Sequence, residues 1–179
     1  MLFLNKYGER LMTKRNAALD ASFWINGYRS GILDFLLSYF TVFVPSVVVE
    51  EVEHPSRVTG LLTPAGQLFR RWRLGEQVIV QDPEQPVDWF QLGENAAIGL
   101  ALERRYRLLI DDRAPYHLAK ARNLRAISTA DFILLLYVQG QLDYDEAQAK
   151  LGTLKISEHM KRVVMHSLGR LATKRGERL

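Results

Sequence analysis

The chain has 179 residues, 47% of them apolar and 25% charged, with a formal net charge of +4 and a pI near 9.4. That length suits one domain with a sizeable core, and the basic excess favours a polyanionic partner without requiring one. Cysteine is absent, which excludes a disulfide framework, a thiolate metal site and a thiol nucleophile, and fits a reducing, cytoplasmic setting.

Met-Leu-Phe-Leu at the start meets Lys6, Glu9 and Arg10 too soon for a secretion signal, and residues 1–15 read as a poorly tied arm. Ala17-Ala18-Leu19 is a short buried strand ending near Asp20, and helix follows. In residues 30–40, Ile32, Leu33, Leu36, Leu37 and Phe40 recur at helical spacing. Residues 41–44 are strand by composition, and Pro45 closes them and opens a helix running to about Glu53. Periodicity weakens over residues 54–90, where Thr63-Pro64 reads as a cap and first turn ahead of Leu68, Phe69 and Trp72. Residues 77–81 alternate as a short strand, and 82–88 form a proline-rich loop.

A helix is expected over residues 93–104 and a strand over 107–111, ending in Asp111-Asp112. Then come helix 115–122, strand-like 125–128, helix 129–138, and tail helices over 144–151 and 157–171, with Lys174, Arg175 and Arg178 as a frayed basic tail. The apolar run around residues 133–138 falls short of the roughly 20 residues a membrane span needs, so no membrane partner is expected.

Strands alternating with helices imply a mainly parallel central sheet covered on both faces, and such sheets bind ligands beyond the carboxyl ends of their strands. Asp20 and Asp111-Asp112 close strands on that rim. Glu51 and Glu94 sit in helices that follow the loops leading off it, so four acids from four segments can converge. Crowded carboxylates repel unless they share a cation, and a histidine-free oxygen set suits Mg²⁺ or Mn²⁺. Each residue also has a plainer reading. Asp20 can cap the following helix, Glu94 can face a helix macrodipole, Glu51 can be solvated, with Glu50 competing for its role, and Asp111-Asp112 can be a cap with a surface ion pair to Arg113.

Leu19-Asp20-Ala21-Ser22, then Val44-Pro45-Ser46-Val47-Val48-Val49-Glu50-Glu51-Val52, then Leu92-Gly93-Glu94-Asn95-Ala96-Ala97, then Leu108-Leu109-Ile110-Asp111-Asp112 resemble, in order and segment type, the PIN-domain nucleases. The resemblance covers residues 16–140 and points to the VapC-like toxin branch, with Ser128-Thr129 where that branch has Gly-Thr and residues 155–159 resembling its closing helix. It implies a three-layer α/β/α fold in which residues 16–155 are the catalytic domain, 54–90 an insertion-like segment and 156–179 a C-terminal helix and basic tail. It further implies an endoribonuclease that uses Mg²⁺ or Mn²⁺ held by Asp20, Glu94, Asp112 and Asp111. Asp20, Glu51, Glu94 and Asp112 would be catalytic, and Thr129 and Ser22 would contact substrate. RNA, an antitoxin protein and a second copy of the chain are the expected partners. Tyr116 stands where the family commonly has arginine. The alternative is a non-catalytic module of the same fold that binds nucleic acid or protein.

Two arginine–aromatic stretches, Arg70-Arg71-Trp72-Arg73 and Arg104-Arg105-Tyr106-Arg107, read either as RNA-contacting surface or as solvated helix faces with a core aromatic. The four histidines lack metal-ligand spacing.

Overall fold

The computed structural model describes residues 14–85 and 87–176; most of the expected N-terminal arm and Arg178 of the expected tail lie outside them. In chain order, β1 (Arg15–Leu19) leads to α1 (Ala21–Ser30), α2 (Leu33–Tyr39), β2 (Phe40–Val44), α3 (Ser46–Val52), α4 (Pro64–Leu74) and β3 (Val78–Val80). The second half runs α5 (Leu92–Arg104), β4 (Arg107–Leu109), α6 (Arg113–Ala121), β5 (Ala126–Ile127), α7 (Thr129–Val138), α8 (Tyr144–Gly152) and α9 (Glu158–Lys174).

All strand pairs among the described residues are parallel, in the order β3-β2-β1-β4-β5. The chain builds outward from β1 to β3, then returns through α5 to lay β4 on the other side of β1. The strand order therefore reverses between β1 and β4, which is where open α/β sheets leave a crevice at their carboxyl edge. Side chains alternate across the sheet. Ala17, Leu19, Val42 and Leu109 enter a core built with α1 to α4 and α7 to α9, while Ala18 and Leu108 enter a second core with α5 and α6. These two cores on opposite faces give the expected three-layer α/β/α architecture.

One helix boundary differs from the sequence reading. The apolar stripe over residues 30–40 does not begin a helix at Ser30, because Gly31 adopts φ 64° and ends α1 there. Gly31 N–H bonds the Tyr28 carbonyl and Ile32 N–H that of Gly27, both at 3.1 Å, a helix stop that needs a left-handed residue.

Residues 54–90 do more than decorate the domain. They supply α4 and the edge strand β3. Trp24 of α1 meets Phe69 and Trp72 of α4 edge-on at 4.9 and 5.2 Å, and its indole N–H donates to the Ala65 carbonyl at 3.0 Å. Arg70 and Arg73 both bond Glu53, at 2.8 and 2.7 Å, and Trp72 is buried, so the first arginine–aromatic stretch is a packed helix face. At the other end, Val164, Leu168 and Ala172 of α9 join the larger core. Arg175, read as frayed tail, donates to the Tyr137 carbonyl at 2.7 Å and lies over the Tyr137 ring. Among the described residues no helix is long and apolar enough to cross a membrane.

Candidate active site

Asp20 has a single residue in which to turn β1 into α1. Its backbone stays extended, and its carboxylate accepts the Ser22 N–H at 2.9 Å and the Ser22 hydroxyl at 2.5 Å, capping the helix. Its own N–H continues the ladder to the Leu109 carbonyl at 2.9 Å. The cap thus pins a carboxylate, 2% exposed, at the β1–β4 crevice.

The two aspartates that follow β4 diverge. The Asp111 carboxylate accepts the Thr129 N–H, the Thr129 hydroxyl and the Asn26 amide, each at 2.6 Å, and its N–H donates to the Ser22 hydroxyl at 2.9 Å. It ties the β4 end to α1 and to the first turn of α7. Asp112 occupies the N-cap position of α6 but makes no side-chain cap bond and is exposed.

Glu94 lies in the first turn of α5 and accepts the Gln91 N–H at 3.0 Å, a reciprocal capping arrangement. Glu51 reaches across from α3 and accepts the Gly93 N–H, an amide in the first turn of α5. A β-carbon on Gly93 would stand 2.5–2.7 Å from the Glu51 carboxylate, so the approach depends on glycine there. Of the competing pair, Glu51 is the one that meets α5.

Each of the four acids Asp20, Glu51, Glu94 and Asp112 feels the repulsion of the other three. Burial pushes the Asp20 carboxyl from its ordinary 3.8 to about 6; the Ser22 bonds oppose the rise, and Asp112 and Glu51 add to it. Glu51 and Glu94 are also raised, first by burial and then by neighbouring carboxylates, and Glu94 comes within proton-sharing reach of Asp112. Asp111 is raised by burial against the bonds from Thr129 and Asn26. Among the described residues none of the four carboxylates forms an ion pair, and no group of three or more acids or histidines is gathered to hold one metal ion.

Thr129 is fully buried, with N–H and hydroxyl both on Asp111, so it holds an aspartate in place and presents no surface outward. Ser22 is half-buried between Asp20 and Asp111. Tyr116, where the family's arginine was expected, donates its hydroxyl to Asp131 at 2.7 Å, and burial followed by that bond raises it above its usual range. Sequence reasoning missed Asn26. The signal was available, because Phe23, Asn26, Gly27 and Ser30 share one buried helical face of α1, and an amide there calls for a partner.

A family model described as a PIN domain matches residues 17–166. No curated protein sequence matches the chain. Among solved structures, one similar to this chain is a PilT N-terminus domain protein from the hyperthermophilic archaeon Sulfolobus solfataricus, at 17% identity and a TM-score of 0.42, covering 64% of this chain and 87% of that one.

The buried charge on Asp20 carries a stability cost with a definite sign. With a folded value of about 6 against an ordinary 3.8, the folded chain holds the extra proton between those values, so stability from this group falls as pH rises through that window. Asp20→Asn keeps a capping side chain and removes the charge. In chelator the variant is expected to be more stable than the parent at pH 7.5, by an amount on the order of 1–3 kcal/mol, with the gap closing towards pH 4. Thermal melts at pH 7.5 and 4.5 check this, and a gap independent of pH would contradict it.

Proposed function

The chain belongs to the PIN-domain family, and from that premise we propose that it is a divalent-metal-dependent endoribonuclease whose carboxylates Asp20, Glu51, Glu94 and Asp112 serve Mg²⁺ or Mn²⁺. The observation that carries this reading is the mutual repulsion of four acids at the sheet's carboxyl edge with no basic side chain among the described residues paired to them. A cation is the simplest relief for that arrangement.

The donor chemistry fits a hard ion: the four groups offer carboxylate oxygens only. Since no three of them are gathered around one point, attachment through water for some of them fits best, in keeping with the hydrated habit of Mg²⁺. When bound, such an ion acidifies water and neutralises charge on a phosphodiester. The chain's own groups do the positioning. Ser22 aims Asp20, the Gly93 N–H aims Glu51, and Asp111 locks the end of β4 to α1 and α7. Burial and the nearby Asp112 carboxylate hold the Glu94 carboxyl above its ordinary value, and a bound cation would favour its charged form.

The basic excess and the order of the motifs support RNA as substrate and a VapC-like toxin role, with a protein antitoxin as partner. Exposed Leu61, Leu74 and Leu92 are the kind of side chain that a homodimer or an antitoxin would cover. A second reading, a non-catalytic module that binds RNA, draws support from the ungathered state of the acids.

Cleavage of single-stranded and structured RNA by the purified chain decides between them. Activity is expected with Mg²⁺ or Mn²⁺, abolished by chelator and reduced about 10²-fold or more in Asp20→Asn. At subsaturating metal the rate should fall as pH drops through about 6 and recover with added metal. Cleavage that persists in chelator or is equal in the variant would contradict the mechanism, and binding without turnover would favour the module.

Gly93→Ala separates Glu51's position from its charge. The new β-carbon displaces the flexible end of Glu51, so melting should stay near wild type while cleavage falls about 10- to 100-fold. Unchanged cleavage would remove Glu51 from the proposed site.

A further inference from the structure

At the amino edge of the sheet, opposite Asp20, lies an open cleft of about 700 Å³ whose lining, among the described residues, includes seven cations and no acid. The topology assembles it. Lys14 precedes β1 and Arg15 begins it, Arg107 begins β4, Arg125 precedes β5, and Arg105 and Arg122 follow the ends of α5 and α6. The cluster outweighs the chain's whole excess of +4, so the remainder is net acidic. Among the described residues Arg104 is the one of the seven with carboxylate partners, Glu84 and Glu103.

The ends of α5 and α6 offer a structural reason for some of this charge, since helix C-termini attract cations. That reason covers Arg104, Arg105 and Arg122. It does not cover Lys14, Arg15, Arg107 and Arg125, which sit at strand starts. Arg107 is half-buried, and its guanidinium is held below its ordinary value first by that burial and then by Arg125 and Arg15. Like charges facing one another across an open cleft, with only Arg104 paired to carboxylates among the described residues, are stabilised by a polyanion, and guanidinium groups pair with phosphates in two-pronged fashion. The second arginine–aromatic stretch, unlike the first, thus lines a cavity, with Tyr106 stacked on Phe43 at 4.6 Å as part of its wall.

We infer that this cleft is a second nucleic-acid site, which grips the phosphodiester backbone of an RNA at the sheet edge opposite the acids. The inference rests on RNA being the substrate, but not on cleavage. Arg107 and Asp111 are four residues apart along β4 and beyond its end, roughly 13 Å, so one RNA of modest length can reach from the cleft round to the acid edge. The cleft supplies affinity where the acids repel the same backbone. An RNA strand is favoured over a small phosphate ligand because the cations are spread over three strand starts and two helix ends rather than focused on one point.

The test measures binding of a labelled 20-nucleotide uridine RNA in chelator, by anisotropy across a salt series, using the full chain. The cleft variant carries Lys14→Gln, Arg15→Gln and Arg125→Gln, all at exposed positions. The control carries Arg57→Gln, Arg71→Gln and Arg162→Gln, which change net charge equally at exposed positions outside the cleft. The cleft variant is expected to bind about 10-fold or more weaker than the control, with a salt slope shallower by about 2. Binding by the two variants within threefold of each other overturns the inference. So does intact RNA binding with loss of tripolyphosphate or poly-glutamate binding, which would reassign the cleft to a small phosphate ligand or an acidic peptide. Asp20→Asn is expected to bind at least as tightly as wild type. Cleft-dependent binding without any cleavage would sink the nuclease and keep the cleft; cleavage without cleft-dependent binding would do the reverse.

Discussion

Four carboxylates facing one another at the end of a parallel sheet repel, and their coexistence depends on the helix N-termini around them. Asp20 caps α1, Glu51 takes the Gly93 amide in the first turn of α5 and Glu94 the amide of its N-cap Gln91, Asp111 takes the first amide of α7, and Asp112 stands at the N-cap of α6 without a side-chain bond to it. Each terminus brings unpaired N–H groups and the positive end of a helix dipole. The compensation is incomplete, because Asp20 still sits near 6 and Glu51 and Glu94 are raised as well. On the proposed function, a divalent cation would relieve the remaining repulsion.

Parallel topology places these features without special provision. Every strand enters at one edge and leaves at the other, so the helices that follow strands begin at the carboxyl edge and end at the amino edge. Acids then collect where α1, α5, α6 and α7 start. Cations collect where α5 and α6 stop and where β1, β4 and β5 begin. The sheet therefore separates a net charge of only +4 into an acidic end and a basic end. An RNA would meet attraction at one edge and, without metal, repulsion at the other.

Local features of the site were readable because they depend on local chemistry. An aspartate after an apolar triplet marks a strand end and a cap, and Leu108-Leu109-Ile110 before Asp111-Asp112 marks another. What eluded the sequence depends on contacts between distant segments. Only the bonds to Asn26 and Thr129 distinguish Asp111, turned inward, from Asp112, left outward. The choice of Glu51 over Glu50 follows from Gly93 lying opposite, more than forty residues along the chain. The stop at Gly31 was hidden by an apolar stripe that ran straight through it. The strand in residues 54–90 was legible, but its place at the sheet edge was not, because β3 contributes only three residues. The basic cleft was legible only in part: Arg104-Arg105-Tyr106-Arg107 already offered an RNA-contacting reading, but its joining to Arg15 and Arg125 follows from strand order alone.

The most direct measurement is calorimetric titration of the metal-free chain with Mn²⁺ at pH 6 and pH 8, in buffers of different ionisation enthalpy so that released protons are counted. If the acids form a site held ready by helix termini, wild type binds Mn²⁺ and releases more protons at pH 6, where the raised Asp20 carboxyl holds more of its proton, than at pH 8, and Asp20→Asn loses most of that binding. No binding by wild type, or equal binding and equal proton release by the variant, would contradict the central claim.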